Sequence, residues 1–387
     1  MSVTAVEKAR ATDDEPDRLA GFSAPRDVDR LFGHAAALGE FQEALHSGRM
    51  HHAWLLAGPE GIGKATLAYA VARGVLALNE PPGVELQMIG AEHPVFHKVA
   101  ALSHPNLLLL RRSFVEKSKR YSQWIGVEEV RRLRAFLGNS AGERGWRVVI
   151  VDRADELNPN AANALLKTLE EPPPQTLFLL VASAEGRVPV TIRSRARALR
   201  VAPLAAEELE GAVRAALARD DHEVDAATLA TALGLSEGSV RRALELATGE
   251  GIALHGELLA LLKELPHFEG TRLHRLVERL GGAGDSERLE LFVALLLGLL
   301  ERLVRSSVIG EGRGPQERGP CHLLPEEKEL AARLIGPDNQ AFWAEAWEEI
   351  GRAQTEAAIF NLDRSLLVLE TFYRLQQLVR ERPAAQP

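Results

Sequence analysis

Between residues 52 and 200, short runs of apolar residues alternate with stretches in which apolar positions recur every three or four residues. His52–Ala57, Asn106–Leu110, Arg147–Val151 and Thr176–Val181 read as buried parallel strands. Lys64–Leu78 and Val127–Leu137 carry the helical period between them. A further helix is predicted after Asn158, which suits an N-cap, with Pro159 as its first residue. Ala162, Leu165, Leu166 and Leu169 fall on one face of it, and Pro172 ends it. Alternating strands and helices of this kind predict an α/β domain with a parallel sheet.

After Pro203 the strand pattern stops. Glu207–Leu217, Ala226–Leu233 and Ser239–Ala247 read as helices, the last with Ser236 as a candidate cap. From about Ile252 onward the period is helical throughout, clearest over Leu289–Leu303 and Asn361–Leu378. Gly/Pro-rich breaks at Gly310–Pro320 and Gly336–Asn339 separate these segments. The predicted layout is a disordered leader (1–25), an α/β domain (26–203), a small helical domain (204–252) and an all-α C-terminal domain (253–387).

One loop carries recognisable chemistry. Gly58-Pro-Glu-Gly61-Ile-Gly63-Lys64 follows a predicted strand and opens a predicted helix, the setting of a phosphate-binding loop. Its glycines let backbone N–H groups close around phosphate oxygens at the helix N-terminus. Lys64 would meet the outer phosphates. The next position normally offers a hydroxyl to Mg²⁺, but here it is Ala65. Thr66 stands about 100° further round the helix and aims elsewhere. Asp152 ends the predicted strand Arg147–Val151, a place suited to a water-bridged Mg²⁺. Hydrolysing P-loop proteins often follow that Asp with a Glu that polarises water; here it is Arg153. Asp155 and Glu156 come later and are no clear substitutes. Nucleotide, as ATP or ADP, is therefore expected without efficient hydrolysis.

Composition narrows the partners. Of 387 residues, 46% are hydrophobic and 26% charged, which suits a globular protein of several domains. The net charge of -8 lacks the basic excess of a free-standing DNA binder. Arg111–Arg112 and Arg131–Arg132 with Arg134 are local basic spots that also read as solvated faces. One cysteine, Cys321, excludes an internal disulfide and any multi-cysteine zinc site. The first 25 residues lack the apolar stretch of a signal peptide. Leu291–Leu300, bounded by Glu290 and Glu301, is too short to span a bilayer. A cytoplasmic protein is expected.

The wording of the helix after Asn158 goes beyond what helix physics requires. NALLKTLEEPP, followed by Val190-Thr-Ile-Arg-Ser-Arg195, resembles the bacterial clamp-loader family of AAA+ proteins. HAWLLAGPEGIGKATLA (52–68), His104-Pro-Asn-Leu-Leu-Leu-Leu and Trp146-Arg-Val-Val-Ile-Val-Asp-Arg-Ala-Asp are similar too. The Asp-Arg-Ala-Asp run at 152–155 looks like the family's delta prime subunits rather than the hydrolysing gamma/tau subunits. The resemblance is strong over residues 30–250 and rests on pattern alone beyond that.

It implies an AAA+/RecA-like P-loop domain, a helical lid and a helical collar that holds a hetero-pentamer together. Gamma/tau and delta subunits would be the partners, with a sliding clamp and primer–template DNA reached through the complex. Arg195 would be an arginine finger serving a neighbour's ATP site; Ala196 stands where the family has Cys. Arg241, within Gly238-Ser-Val-Arg-Arg, falls at a nucleotide-sensing position of the family, or on a solvated face with Arg242. Ser183 is a candidate first sensor. The family's four zinc-binding cysteines are absent. His93, His97 and His104 lie in that region and read as ordinary loop histidines, so no zinc is expected. A gamma/tau-type motor and an unrelated nucleotide-sensing regulator are the alternatives.

Overall fold

The computed structural model describes residues 15–16, 18–79, 89–117, 120–138, 145–267, 270–280, 286–309, 323–360 and 364–381. Its contacts divide the chain into two compact units, Met1–Glu223 with Gly238–Arg241, and Val224–Glu237 with Arg242–Pro387. The segment 204–252 is shared between them.

Among the described residues of the first unit, seven strands follow one another: β1 (Ala53–Ala57), β2 (Leu107–Leu110), β3 (Phe114–Val115), β4 (Arg120–Tyr121), β5 (Arg147–Val151), β6 (Thr176–Ala182) and β7 (Arg197–Arg200). Five of them form a sheet in the order β2-β5-β6-β1-β7, and every neighbouring pair in it is parallel. β1 is flanked on both sides, Leu55 pairing with Leu180 of β6 and Ala198 of β7. The apolar runs are continuous because both faces are covered. Trp54, Leu56, Val148, Ile150, Leu177 and Leu179 turn toward one core with the helices Ala35–His46, Lys64–Ala77 and Pro94–Ala100. Leu55, Val149, Val151, Phe178 and Leu180 turn to the other, against Val127–Gly138 and Pro159–Glu170. Neighbouring residues thus part to opposite faces, as the period of two requires.

Asn158 caps its helix as expected, its side chain accepting from Ala161 N–H at 2.8 Å. Ala162, Leu165 and Leu169 are buried on the predicted face.

Several expectations need correction. β7 was not legible as a strand; only Leu199 of its four residues is buried. The region of His93 and His97 is not a plain loop. It holds the helix Pro94–Ala100, with His93 as N-cap accepting from Val95 N–H at 3.2 Å, and Val95, Phe96 and Val99 buried. Ser236 does not cap the next helix, which begins at Val240; its hydroxyl donates back to Leu233 O at 2.8 Å. Of the expected leader, 1–14 and 17 lie outside the described residues. Of the rest, Phe22 and Ala24 are buried, and Ser23 N–H donates to Asp220 at 3.0 Å. Cys321, the break at 310–320 and residues 361–363 also lie outside the described residues.

The second unit is helical in its described residues, from Ala226–Leu235 through Arg364–Glu381. Leu258, Phe292, Leu299, Leu303, Trp343 and Phe372 are among its core. A buried charged group crosses that core. Glu327 accepts from Arg302 at 2.6 Å, lies 3.0 Å from His255 Nε2 and receives Leu324 N–H at 3.1 Å. Burial alone would raise the Glu327 carboxyl, but these partners hold it down to about 2. No helix among the described residues is long and apolar enough to cross a membrane.

Candidate functional site

The loop 58–64 leaves the C-terminal end of the flanked strand β1 and enters the helix Lys64–Ala77. Two of its glycines are dictated by space. A Cβ at Gly58 would lie 2.2 Å from Val201 O, a backbone atom with no room to move. Gly61 sits at φ +76°, and a Cβ there would lie 2.4 Å from Ser239 Oγ.

The loop's carbonyls are all engaged from within the same unit. Lys64 Nζ donates to Gly58 O at 2.8 Å and to Pro59 O. Ser239 Oγ donates to Glu60 O at 3.0 Å, and Arg241 N–H to Gly61 O at 3.2 Å. His34 Nε2 lies 2.7 Å from Ile62 O, and Gly63 O receives Leu67 N–H at 2.9 Å. Burial pushes the His34 imidazole below its ordinary value, which suits a neutral ring donating from Nε2. Among the described residues, the N–H groups of 61–66 make no backbone hydrogen bond. The loop's carbonyls are thus engaged while its amides make no backbone hydrogen bond, and free amides are what an anion requires.

Charge around this loop is balanced at short range. Lys64 is buried, and desolvation pulls its ammonium down to about 8 against the pull of Glu60, Asp155 and Asp152. Asp152 is buried at the end of β5. Arg153, at φ +63°, points its guanidinium back at the loop: Nη1 is 3.0 Å from Glu60, and Nη2 is 2.8 Å from Glu156. Asp155 is buried and accepts Ser183 N–H at 3.4 Å. Arg241 thus meets the loop through its main-chain N–H, and Ser183 meets the Asp155 carboxylate through its own. Ala65 and Thr66 lie on the first turn of the helix, half-buried.

Arg195 belongs to a different neighbourhood. It follows the short helix Val190–Arg193, and its side chain is 37% exposed. Its guanidinium donates to Thr191 O at 3.0 Å and pairs with Glu170 at 2.7 Å. An exposed pair of this kind holds its members by about 0–1 kcal/mol and is readily exchanged. The basic spots on the chain are paired as well: Arg111 with Glu15, Arg112 with Glu156, Arg131 with Glu128 and Arg132 with Glu129.

The contacts made by Glu60, Asp155, Ser239 and His34 were not legible in the sequence. Glu60 lies inside the loop and Asp155 in the Asp-Arg-Ala-Asp run at 152–155, so their positions were visible but their partners were not. Ser239 stands two residues before Arg241, and nothing in the pattern marks it. His34 and Ile62 are far apart in sequence, and no local signal joins them.

Comparison with known proteins gives this arrangement its relatives. A family model described as DNA polymerase III, delta subunit, matches residues 33–205. The delta' subunit of DNA polymerase III from Yersinia pestis is 33% identical over 256 residues, covering 66% of this chain and 72% of that one. The chain belongs to the DNA polymerase III clamp-loader family. Within that family the delta' subunit of Pseudomonas aeruginosa is 38% identical over 221 residues, covering 55% of this chain and 62% of that one. The tau subunit of Escherichia coli is also a relative, 27% identical over 297 residues and 72% of this chain. The chain spans about half the length of the tau and gamma subunits it matches, between 39% and 58%. Clamp-loader relatives of both kinds are therefore similar to it, and the residues of the site must separate them.

Proposed function

We propose that this chain is a delta prime-type stator of the clamp loader. It would bind nucleotide without efficient hydrolysis and lend Arg195 to the ATP site of a neighbouring subunit. One observation carries the reading. Where a hydrolysing subunit needs a carboxylate to polarise water, this chain has Arg153, and that guanidinium is paired with Glu60 of the phosphate loop at 3.0 Å. Ala65 removes the metal-binding hydroxyl from the same site. A water-positioning or general-base group is worth about 10²–10⁴ in rate, so its loss leaves little intrinsic turnover. The loop keeps its glycines and Lys64, which supports nucleotide binding without cleavage.

Arg195 supports the second half of the reading. Its solvent exposure and exchangeable pair with Glu170 leave it able to reach another chain. On this reading the parts of the chain act as a P-loop domain (26–203), a lid (204–252) and a collar (253–387). The partners are gamma/tau and delta subunits in a cytoplasmic hetero-pentamer, with sliding clamp and primer–template DNA met through the assembly.

The test is reconstitution with gamma/tau and delta using Arg195→Ala. Hydrolysis at the one neighbouring site should fall by about 10³ or more, and clamp loading with it, while the subunits still co-purify. Unchanged hydrolysis, or a complex that no longer assembles, rejects the finger. Rapid ATP turnover by the purified chain alone would instead favour a gamma/tau-type motor.

A further inference from the structure

Of the groups that hold the divalent cation of P-loop proteins, this site keeps the carboxylate of Asp152 and lacks the hydroxyl. The cation's usual ligand from the loop is the hydroxyl after the lysine, and that place holds the methyl of Ala65. Thr66 is rotated about 100° away round the helix. The phosphates themselves do fit. Among the described residues the N–H groups of 61–66 make no backbone hydrogen bond, and the close approach of Gly58 to Val201 and the positive φ of Gly61 fix the loop's path.

A polyphosphate in that cradle would meet Asp152 and Asp155, whose charges already act on Lys64. Without a metal, the anion needs compensation from the chain itself. Arg153 stands beside the loop where hydrolysing relatives are expected to carry a carboxylate. A guanidinium is a rigid fork of donors that matches phosphate oxygens in pairs. In the structure one edge of that fork is taken by Glu60 and another nitrogen by Glu156. The Glu60 side chain is 54% exposed and is free to turn into water. Its exchange for a phosphate replaces a weak rim pair by a stronger one.

We infer that this site takes the phosphates of a nucleoside di- or triphosphate without magnesium, with Arg153 and Lys64 supplying the neutralising charge and Glu60 as the internal competitor. The inference rests on the nucleotide-site half of the proposed function and is independent of Arg195.

Fluorescence titration of the full chain with a mant-labelled ADP, in excess EDTA and in excess magnesium, tests it. Binding in EDTA should be at least as tight as in excess magnesium, because magnesium in solution competes with the site for the phosphates. Arg153→Ala should weaken binding about 10- to 100-fold in both buffers, the loss of a charge-assisted hydrogen bond, and Arg153→Lys should recover part of it. Glu60→Gln alters an exposed residue and should tighten binding, which keeps the test open if the Arg153 variants do not fold. Binding that needs magnesium by tenfold or more, indifference to Arg153→Ala, or no tightening in Glu60→Gln overturns the inference. So does absence of binding in both buffers, and that result leaves the Arg195 reading standing, because it is read in the reconstituted complex.

Discussion

Lys64 carries a pH dependence that follows from its surroundings. Burial brings its ammonium down to about 8, within reach of mildly alkaline buffers. Phosphate binding requires the protonated form, and bound phosphate would itself favour that form. Affinity for nucleotide should therefore be full below pH 8 and fall as pH rises through and above it. Titrations of the same labelled ADP from pH 7 to pH 10 check this. Lys64→Arg, which stays charged throughout, should flatten the profile even if its absolute affinity differs. Arg153 offers no such sensitivity, since a guanidinium keeps its proton over the whole range. A pH profile thus separates the contributions of the two cations.

Among the elements, those with a continuous apolar run or a clean helical period were legible from the sequence. β5 begins and ends where its pattern does, and β6 runs one residue further than expected. The helix after Asn158 was readable down to its cap, because capping is local chemistry. Asn158→Ala should cost about 1 kcal/mol, seen as a lower midpoint in thermal or urea unfolding, with little change elsewhere. β7 was invisible because its pattern is Arg-Ala-Leu-Arg; its extended form comes from the ladder to β1, not from preference. β3 and β4, two residues each, are below the length at which any period can be counted. The candidate site divides in the same way. The glycines, Lys64 and Asp152 announce themselves by type and spacing. Glu60 with Arg153, Ser239 with the loop and His34 with Ile62 are tertiary pairings that the chain order hides.

At the scale of the whole molecule there are two units, each with its own core and its own charge problem. In the helical unit, Glu327, His255 and Arg302 are 3% exposed or less in their side chains. Removing one member of such a pair leaves the other buried and uncompensated, at about 3–5 kcal/mol. Glu327→Gln should show that loss in denaturant unfolding followed by helical signal. Because the folded carboxyl lies at about 2, below its ordinary value of 4.5, its contribution is complete above pH 4.5 and vanishes as pH falls toward 2. Acid titration should therefore weaken the native chain over that window, and the Gln variant should lack that component. The α/β unit faces a different hazard. β7 is the last strand of its sheet, and the residues it shows to solvent include Arg197, stacked over Trp54 and paired with Glu40, and Arg200. A stray strand adding to that margin would have to strip water from two guanidinium groups. In a crowded cell, the same arginines that concealed the strand from the sequence reader would discourage fibrous self-association.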